Sequence, residues 1–351
     1  MMKKKINLPK LYSYLIVAVS CVLISLLFIA FSGSSVGSSL QGFYRAVAGS
    51  SYSVSEVIVK AIPLTLCGLG VAVGFHSGFT NIGAEGQFYI GAVVVAVLGT
   101  YFAGLPGWLL MPLGLILGFV FAGLWAVIPG ILRAKFGISE VINTIMFNYI
   151  ATCIVGILLQ TSLKDPDGYF PQSVVMPGGL ELPLLIPRTR LHAGLFIALI
   201  ASVLVYILIW RTRTGFEMRA VGLNARACKC SGIPVSRSII LSSMLSGGLA
   251  GLAGVCEVMG LHHRLMDGIS PGYGYLAIIV ALLGGNFPLG IILSSIGIAV
   301  LQVGAQGMQR KAGVPSSIAD IVMAVIVLLI LVRPLLEKLL AKHMVKEEKA
   351  C

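Results

Sequence analysis

Residues Gly78–Gly91 read Gly-Phe-Thr-Asn-Ile-Gly-Ala-Glu-Gly-Gln-Phe-Tyr-Ile-Gly and carry the polar side chains Asn81, Glu85 and Gln87 between two apolar stretches. In a bilayer, ionisable and amide side chains are costly unless they face a cavity or a partner. A backbone this rich in glycine also tends to interrupt its helix, and lipid tolerates an interruption only where it is buried in protein or lines water. The stretch therefore predicts a broken membrane helix beside a path for a polar solute.

The composition around this stretch is that of a membrane protein. Of the 351 residues, 57% are hydrophobic and 11% are charged, and the mean hydropathy is +0.98. Soluble domains carry roughly 25% charged residues. A net charge of +12 would indicate nucleic acid binding in a soluble protein, but here the basic residues cluster in short segments between apolar runs. That clustering is typical of membrane orientation, so we expect membrane lipid around the chain and no nucleic acid.

Apolar windows of about 20 residues predict an all-α integral membrane protein with about ten transmembrane segments, some of them broken or re-entrant. The predicted segments are 11–31, 56–75, 84–103, 107–132, 140–161, 192–210, 238–260, 273–285, 288–306 and 317–333. The count of ten requires 273–306 to cross as a hairpin. The first arm of that hairpin is short, so a re-entrant segment stays open as the alternative.

Basic residues predict the orientation of these segments. The basic loop 211–237 belongs on the cytoplasmic side by the positive-inside rule, which also places both chain termini in the cytoplasm. On this assignment, residues 1–10 form a cytoplasmic N-terminus, 11–333 form the transmembrane domain, and 334–351 form a cytoplasmic basic tail.

A weak internal repeat links the opening stretch to a second glycine-rich segment. Val95–Gly99 resembles Val280–Gly284, and each run follows a glycine-rich polar segment that contains histidine. The predicted topology gives the polar segments 76–87 and 261–274 opposite orientations, as in inverted-repeat transporters whose site lies where broken helices meet. Because the matching run is short, chance similarity stays open as the alternative.

Three roles are open for Glu85. It can line a path together with Asn81 and Gln87, pair with a helix N-terminus or a neighbouring subunit and only hold the fold, or carry a proton or sodium ion in a secondary transporter. Amides offer both donors and acceptors, which suits a neutral polar solute such as a sugar or a nucleoside. An enzyme that uses Glu85 and His76 as acid and base is disfavoured, because the sequence supplies neither a nucleophile nor a set of metal ligands.

A second polar set lies in Glu140–Asn148. Ser139 can cap a helix there, with Glu140 in its first turn. Asn143 and Asn148 lie about 140° apart on such a helix, so they need not share a face. Intramembrane amides also bridge helices, and so contact with a solute and helix packing both stay open for these two residues.

Neither the cysteines nor the histidines predict a metal site. Cys228 and Cys230 form a single Cys-Lys-Cys without a nearby histidine pair, which is weak as a metal motif. His262, His263 and Asp267 are not spaced as metal ligands. We interpret them as a solvated loop that contacts an external partner.

The basic loop 211–237 contains the pattern of a short amphipathic helix, with helix formers and cations between glycines. Such a helix can dock into a groove on a soluble partner, with Met218, Ala220 and Val221 as contacts and Arg219 or Arg226 as a polar anchor. It can also fix topology at lipid headgroups.

Three motifs resemble a known family. Asn81–Gln87, Glu140–Tyr149 and Gly215–Asn224 are similar to motifs of the permease subunits of ATP-binding cassette (ABC) importers for branched-chain amino acids, ribose and other simple sugars, and nucleosides. The first motif looks most like the nucleoside or simple-sugar permeases that work with a basic-membrane-protein type lipoprotein. The resemblance covers about residues 55–335. The chain departs from the family pattern at Cys228-Lys-Cys230, which puts local contacts in doubt but not the role.

The resemblance implies a permease in a bacterial plasma membrane, with partners. These are a second permease subunit in a homo- or heterodimer, an ATP-binding subunit, and an extracellular substrate-binding lipoprotein. ATP and Mg would be held by the ATP-binding subunit, because this sequence has no Gly-x-x-x-x-Gly-Lys-Ser/Thr phosphate loop. The chain itself would be non-catalytic.

The resemblance also implies which residues carry the function. The segment Gly215–Gly232 is similar to the family's coupling helix, which seats in the ATP-binding subunit. The implied coupling residues are Gly215, Met218, Arg219, Ala220, Val221, Gly222 and Asn224. The candidates for lining the path of a nucleoside or simple sugar are Asn81, Glu85, Gln87, Asn143 and Asn148.

Overall fold

The computed structural model describes residues 35–315 without a gap, and scattered residues within 16–27 and 317–337. The predicted first span, 11–31, and the two terminal segments lie wholly or largely outside the described residues, and the predicted last span, 317–333, is described only in part. Between residues 35 and 315 the regular structure is helical, and backbone pairing between extended segments is limited to isolated bridges. The predicted all-α fold class is confirmed.

Eleven α-helices span this continuous range. They are α1 Val36–Ala48, α2 Ser51–His76, α3 Ala84–Tyr101, α4 Gly107–Phe136, α5 Glu140–Gln160, α6 Gly194–Arg211, α7 Arg213–Leu223, α8 Ala225–Cys230, α9 Val235–Glu257, α10 Tyr273–Leu283 and α11 Pro288–Ala312. Residues Val258–His262 continue α9 as a π-helical turn, and Gly178–Leu180 form a short 3₁₀ turn.

Seven of the described helices are long and apolar enough to cross a membrane, namely α2, α3, α4, α5, α6, α9 with its π turn, and α11. Helix α10 has only 11 residues, a length of about 16 Å. A bilayer core is ~30 Å thick, so α10 is too short for a continuous crossing. The predicted count of ten segments is therefore not confirmed by the described residues.

The described helices divide into two compact units, residues 55–299 and the residues on either side of that range. In the smaller unit, α1 begins at Ser35, whose hydroxyl accepts from the amide of Ser38 at 3.3 Å. A Cβ on Gly42 would lie 2.8 Å from the carbonyl oxygen of Gly307. Glycine thus allows the two backbones to approach closely, as in other membrane helix pairs.

Helix α9 forms the centre of the larger unit and packs on α3 and α4 through small residues. A Cβ on Gly91 would overlap the backbone of Gly251, and a Cβ on Gly254 would overlap the carbonyl of Phe88. Helix α2 is also internal, since 89% of its most apolar window is buried. Close backbone contacts of this kind replace the hydrophobic effect, which does not drive helices together in lipid.

Two membrane segments in the larger unit are broken. Helix α2 ends at His76, and the non-helical residues 77–83 lead to α3. The π turn ends at His262, and the non-helical residues 263–272 lead to α10. The two following helices begin side by side, because a Cβ on Gly274 would overlap the backbone of Glu85.

From this meeting point α3 and α10 run to opposite ends of the unit. The Tyr101 hydroxyl, at the last residue of α3, donates to the carbonyl of Ser162 at 3.0 Å. Beyond α10, the carbonyl of Asn286 lies 3.1 Å from Nε2 of His76. The end of the unit at which α3 finishes is called the loop end, and it is formed by residues 161–193 and 263–272. The end at which α10 finishes is called the α7 end. The two breaks therefore have opposite orientations in the structure, and the internal repeat itself stays a prediction.

Candidate functional site

The non-helical residues 77–83 are held by a pair of buried amides. Nδ2 of Asn81 donates to Oε1 of Gln87 at 2.8 Å, and Nε2 of Gln87 donates to Oδ1 of Asn81 at 3.2 Å. Asn81 also donates to the hydroxyl of Ser246 on α9 at 2.8 Å and accepts from the amide of Gly83 at 2.9 Å. Because every one of these groups is bonded within the chain, the amide pair closes the break against α9.

Helix α5 satisfies the backbone on the other side of the break. Oδ1 of Asn148 accepts from the amide of Gly86 at 2.8 Å, and its Nδ2 donates to the carbonyl of Ile82 at 2.9 Å. The hydroxyl of Thr144, on the same face of α5, accepts from the amide of Ile82 at 3.3 Å. Asn148 therefore bridges helices, which is one of the two roles that the sequence leaves open for it.

Glu85 bonds to the N-terminus of α10. Its Oε2 accepts from the amide of Gly274 at 2.7 Å, and the side chain of Ser270 also hydrogen-bonds to this carboxyl group. The Ser270 hydroxyl in turn accepts from the amides of Gly272 at 3.2 Å and Tyr273 at 3.1 Å. A carboxylate at a helix N-terminus is stabilised by the unpaired amides and the helix dipole, so Glu85 holds the two broken segments together.

The structure joins four of the five path candidates to one hydrogen-bonded region, and the fifth, Asn143, takes no part in those bonds. Asn81, Glu85, Gln87 and Asn148 surround the start of α3 and are at most 5% exposed. Asn143 is also buried, but its Nδ2 has no hydrogen-bond partner among the described residues. Their predicted place along a solute path stays a prediction.

Helix α7 packs against the start of the break between α2 and α3, residues 77–83. Its N-terminus is capped by Thr212, whose hydroxyl accepts from the amide of Gly215 at 3.1 Å. A Cβ on Gly222 would overlap the carbonyl oxygen of His76 and would lie 3.1 Å from the amide nitrogen of Gly78. The backbone of α7 thus directly contacts the residues that lead from α2 into the Asn81–Glu85 region.

The predicted coupling residues divide between a buried and an exposed face. Gly215, Met218 and Val221 are buried against this chain, so they anchor α7 rather than face outward. The exposed apolar side chains are Phe216, at 58%, and Leu223, at 89%. The exposed Asn224 caps α8 by accepting from the amide of Ala227 at 3.1 Å. Arg219 and Ala220 lie between the two faces. The coupling role of the helix stays a prediction.

The family described as branched-chain amino acid transport system, permease component, matches residues 53–331 of this chain. The chain belongs to this permease family. With seven described helices that can cross a membrane, it is a multi-pass membrane protein.

Several relatives of the permease have names that state a transported solute. It is 37% identical over 329 residues to the guanosine ABC transporter permease protein NupP of Bacillus subtilis, covering 92% of this chain and 94% of the relative. It is 36% identical to the nucleoside ABC transporter permease protein NupB of Lactococcus lactis, covering 86% and 85%. It is 34% identical to the glucose ABC transporter permease protein TsgB13 of Haloferax volcanii, covering 80% and 77%. No solved structure matches the chain significantly.

At the loop end, the permease buries Glu257, an ionisable residue that lies outside the three sequence motifs. Glu257 is 3% exposed, and Nε2 of His262 lies 3.5 Å from its Oε1. The hydroxyl of Tyr273 also hydrogen-bonds to Glu257. Nearer the loop, Nε of Arg190 donates to Oε1 of Glu56 at 2.8 Å. An ionisable residue inside an apolar span indicates a functional site by itself. For Glu257, this position within an apolar span is the one indication that the sequence offers.

His192, at the entrance to α6, is a buried neutral imidazole. Its ring packs on Gly260 of the π turn, where a Cβ would overlap it, and its Nδ1 accepts from the amide of Gly194 at 3.2 Å. Burial, with a smaller effect from nearby His263, lowers the pKa of His192 from 6.5 to about 4. The permease therefore keeps this side chain uncharged at neutral pH. The described residues hold no cluster of three or more ligands for a metal ion.

Proposed function

We propose that this permease is the transmembrane subunit of an ABC importer that carries a nucleoside across a bacterial plasma membrane, with a simple sugar as the second candidate. Two of the relatives are named for guanosine and for nucleosides, and they cover at least 85% of both sequences. The relative named for glucose is nearly as similar, which is the observation that keeps the sugar as a candidate.

The observation that carries the mechanism is the contact between α7 and the break. Gly222 meets the backbone of His76 and Gly78 without a side chain between them. A displacement of α7 therefore moves residues 77–83 directly, since no flexible side chain absorbs it. We propose that an ATP-binding subunit holds the exposed face of α7 and α8 and supplies that displacement.

The energy comes from partners in this mechanism. ATP with Mg binds to the ATP-binding subunit, and closure of that subunit moves α7. A second permease subunit forms the other half of the path, and an extracellular lipoprotein delivers the solute to the loop end. Both chain termini and the α7 end lie in the cytoplasm, in line with the basic residues of the 211–237 loop.

The path passes the point where α3 and α10 begin, with Asn81, Glu85, Gln87, Asn143 and Asn148 in its wall. The hydrogen bonds that Asn81, Gln87 and Asn148 make around the non-helical residues 77–83 support this placement. They hold a backbone break in shape at mid-membrane, and a membrane protein tolerates such a break beside a water-filled cavity.

The alternative of an ion-coupled transporter gives Glu85 the role of a proton or sodium site. The bonds from the Gly274 amide and the Ser270 side chain argue against it. They stabilise the carboxylate in one position between two helices, whereas a carrier must release its ion on each cycle. Uptake by the purified chain alone under a proton gradient would support the alternative.

Purification of the affinity-tagged chain from its native membrane tests the proposed assembly. We expect an ATP-binding subunit, a second permease and a lipoprotein to co-purify with it. Thermal-shift screening of that lipoprotein against nucleosides and simple sugars then names the solute, because ligand binding to the folded state raises the melting temperature. A chain that purifies alone and takes up solute under a proton gradient would refute the proposal.

A further inference from the structure

Two tyrosines lie exposed beside the meeting point of the broken helices. Tyr149, on α5, is 61% exposed, and Tyr275, in the first turn of α10, is 43% exposed. They lie close enough to interact electrostatically, and Glu85 acts on Tyr275 in the same way. Nδ2 of Asn148 lies 3.4 Å from the Tyr275 hydroxyl. Both tyrosines thus form the outer surface over the buried Asn148 and Glu85.

The tyrosines lie away from both the loop end and the α7 end of the unit. Tyr149 is close to the midpoint of the 21 residues of α5, which places it about 15 Å from either end of that helix. Tyr275 lies at the start of α10, next to the first turn of α3, and these helices run from there to opposite ends of the unit. Neither position is in the interfacial belts, where tyrosine is usual in membrane proteins.

Lipid is a poor environment for these hydroxyls. The Tyr149 hydroxyl has no hydrogen-bond partner among the described residues, and the Tyr275 hydroxyl has the long contact to Asn148. A hydroxyl that loses its hydrogen bonds in hydrocarbon is strongly destabilised. The exposed side chains Ile142, Met146 and Ile157 lie on the same face of α5 as Tyr149 and are apolar, so the Tyr149 hydroxyl is a polar group among apolar side chains.

We propose that Tyr149 and Tyr275 line the hydrated solute path and contact the ring of the solute during its passage. Aromatic side chains stack on nucleobases and sugar rings, and their hydroxyls hydrogen-bond to polar groups. This inference rests on the proposed import function, and it moves the solute contact from the five buried polar residues to the two tyrosines that cover them. The buried residues then serve to position the tyrosines.

Accessibility of introduced thiols tests the position of the tyrosines without requiring transport. Tyr149→Cys and Tyr275→Cys are compared with Leu204→Cys, a position on α6 that is 60% exposed and lies near the middle of that helix. The background has serine at the exposed cysteines and at those outside the described residues: Cys21, Cys153, Cys230 and Cys351. The probe is a charged, membrane-impermeant methanethiosulfonate applied to vesicles that carry the full transporter.

Because the thiolate is the reacting species and forms only in water, we expect both tyrosine positions to react at least about tenfold faster than position 204. Rates equal to that of Leu204→Cys would place the tyrosines in lipid and overturn the proposal. Fast reaction in the lone chain with full protection in the assembled transporter would also overturn it, by showing a dry contact with the second permease. Either result leaves ATP-dependent uptake by the unmodified transporter unaffected, so the proposed function is judged separately.

A second measurement tests the solute contact. Tyr275→Phe keeps the aromatic ring and removes only the hydroxyl. Tyr275→Leu removes the ring as well and leaves a side chain as apolar as phenylalanine. We expect nucleoside uptake to remain within about twofold for the phenylalanine variant and to fall about tenfold for the leucine variant, the scale of one lost base–aromatic stack. Unchanged uptake in Tyr275→Leu, with equal amounts of transporter in the membrane, would overturn the proposed contact.

Discussion

The carboxylate of Glu85 accepts a 2.7 Å hydrogen bond from the backbone amide of Gly274, a residue 189 positions later in the chain. This bond joins the first turn of α3 to the first turn of α10. Gly274 has no side chain, and a Cβ at that position would overlap the backbone of Glu85. The bond and the close contact together make this junction the point at which the two broken segments are held.

Substitution of Glu85 separates its charge from its hydrogen bond. In Glu85→Gln the amide oxygen can still accept from Gly274, so we expect the chain to fold with a loss of about 1 kcal/mol from the weaker interaction with the helix dipole. In Glu85→Ala the Gly274 amide stays buried without a partner, which adds about 1–3 kcal/mol. Thermal unfolding in detergent measures both losses. Equal destabilisation by the two variants would contradict the structural role of the hydrogen bond.

Asn81→Asp tests the amide pair. The carboxylate has no donor for Gln87 Oε1 or for the Ser246 hydroxyl, and it would be buried at a position that is 0% exposed. We expect a loss of at least about 3 kcal/mol and little folded protein in detergent.

Ser246→Ala is the matched control for that variant. It removes one acceptor while Asn81 keeps Gln87, so the loss should be about 1 kcal/mol. If size-exclusion profiles and melting temperatures of Asn81→Asp match those of Ser246→Ala, the amide pair does not hold the break.

Gly222→Ala tests the contact between α7 and the break. The added methyl group would overlap the His76 carbonyl, and since backbone atoms cannot rotate away, α7 must shift. We expect the protein to fold but ATP-dependent uptake to fall roughly two- to thirtyfold, the usual range for disturbed coupling between sites. Gly297→Ala on α11, where nothing lies within 4 Å, is the control and should transport normally. Normal uptake by Gly222→Ala would show that the contact does not transmit movement.

His192 gives the fold a defined dependence on pH. Above about pH 6.5 its imidazole is neutral in both the folded and the unfolded state, so it adds no pH dependence. As the pH falls towards about 4, the unfolded chain takes up a proton that the buried His192 does not. Stability is therefore lost by about 1.4 kcal/mol per pH unit across this window, on the order of 3 kcal/mol in total.

The variant His192→Asn isolates that effect. Asparagine can accept from the Gly194 amide in place of Nδ1 but does not titrate in this range. Melting temperatures measured across the window should fall less steeply for His192→Asn than for the unmodified chain. Identical slopes would show that His192 is not the group responsible.

The sequence predicts the helical class and the position of the break, because hydropathy and glycine act locally. Glu85, Asn81 and Gln87 do lie together at a helix start, as their spacing indicates. The partner of Glu85 could not be predicted, since it is a backbone amide and every residue except proline carries one. Neither could the burial of Met218, because the orientation of α7 depends on the close contact of Gly222 with His76. Helix α10 was predicted two residues too long at its C-terminal end, and the turn at Gly284 ends it.

Uptake by proteoliposomes tests the central proposal most directly. The chain is reconstituted with its co-purified partners and, separately, alone, and entry of a radiolabelled nucleoside is measured with and without ATP. We expect uptake only by the complete assembly with ATP and the lipoprotein, and none by the lone chain under a proton gradient. Gradient-driven uptake by the lone chain, without ATP, would contradict the proposal.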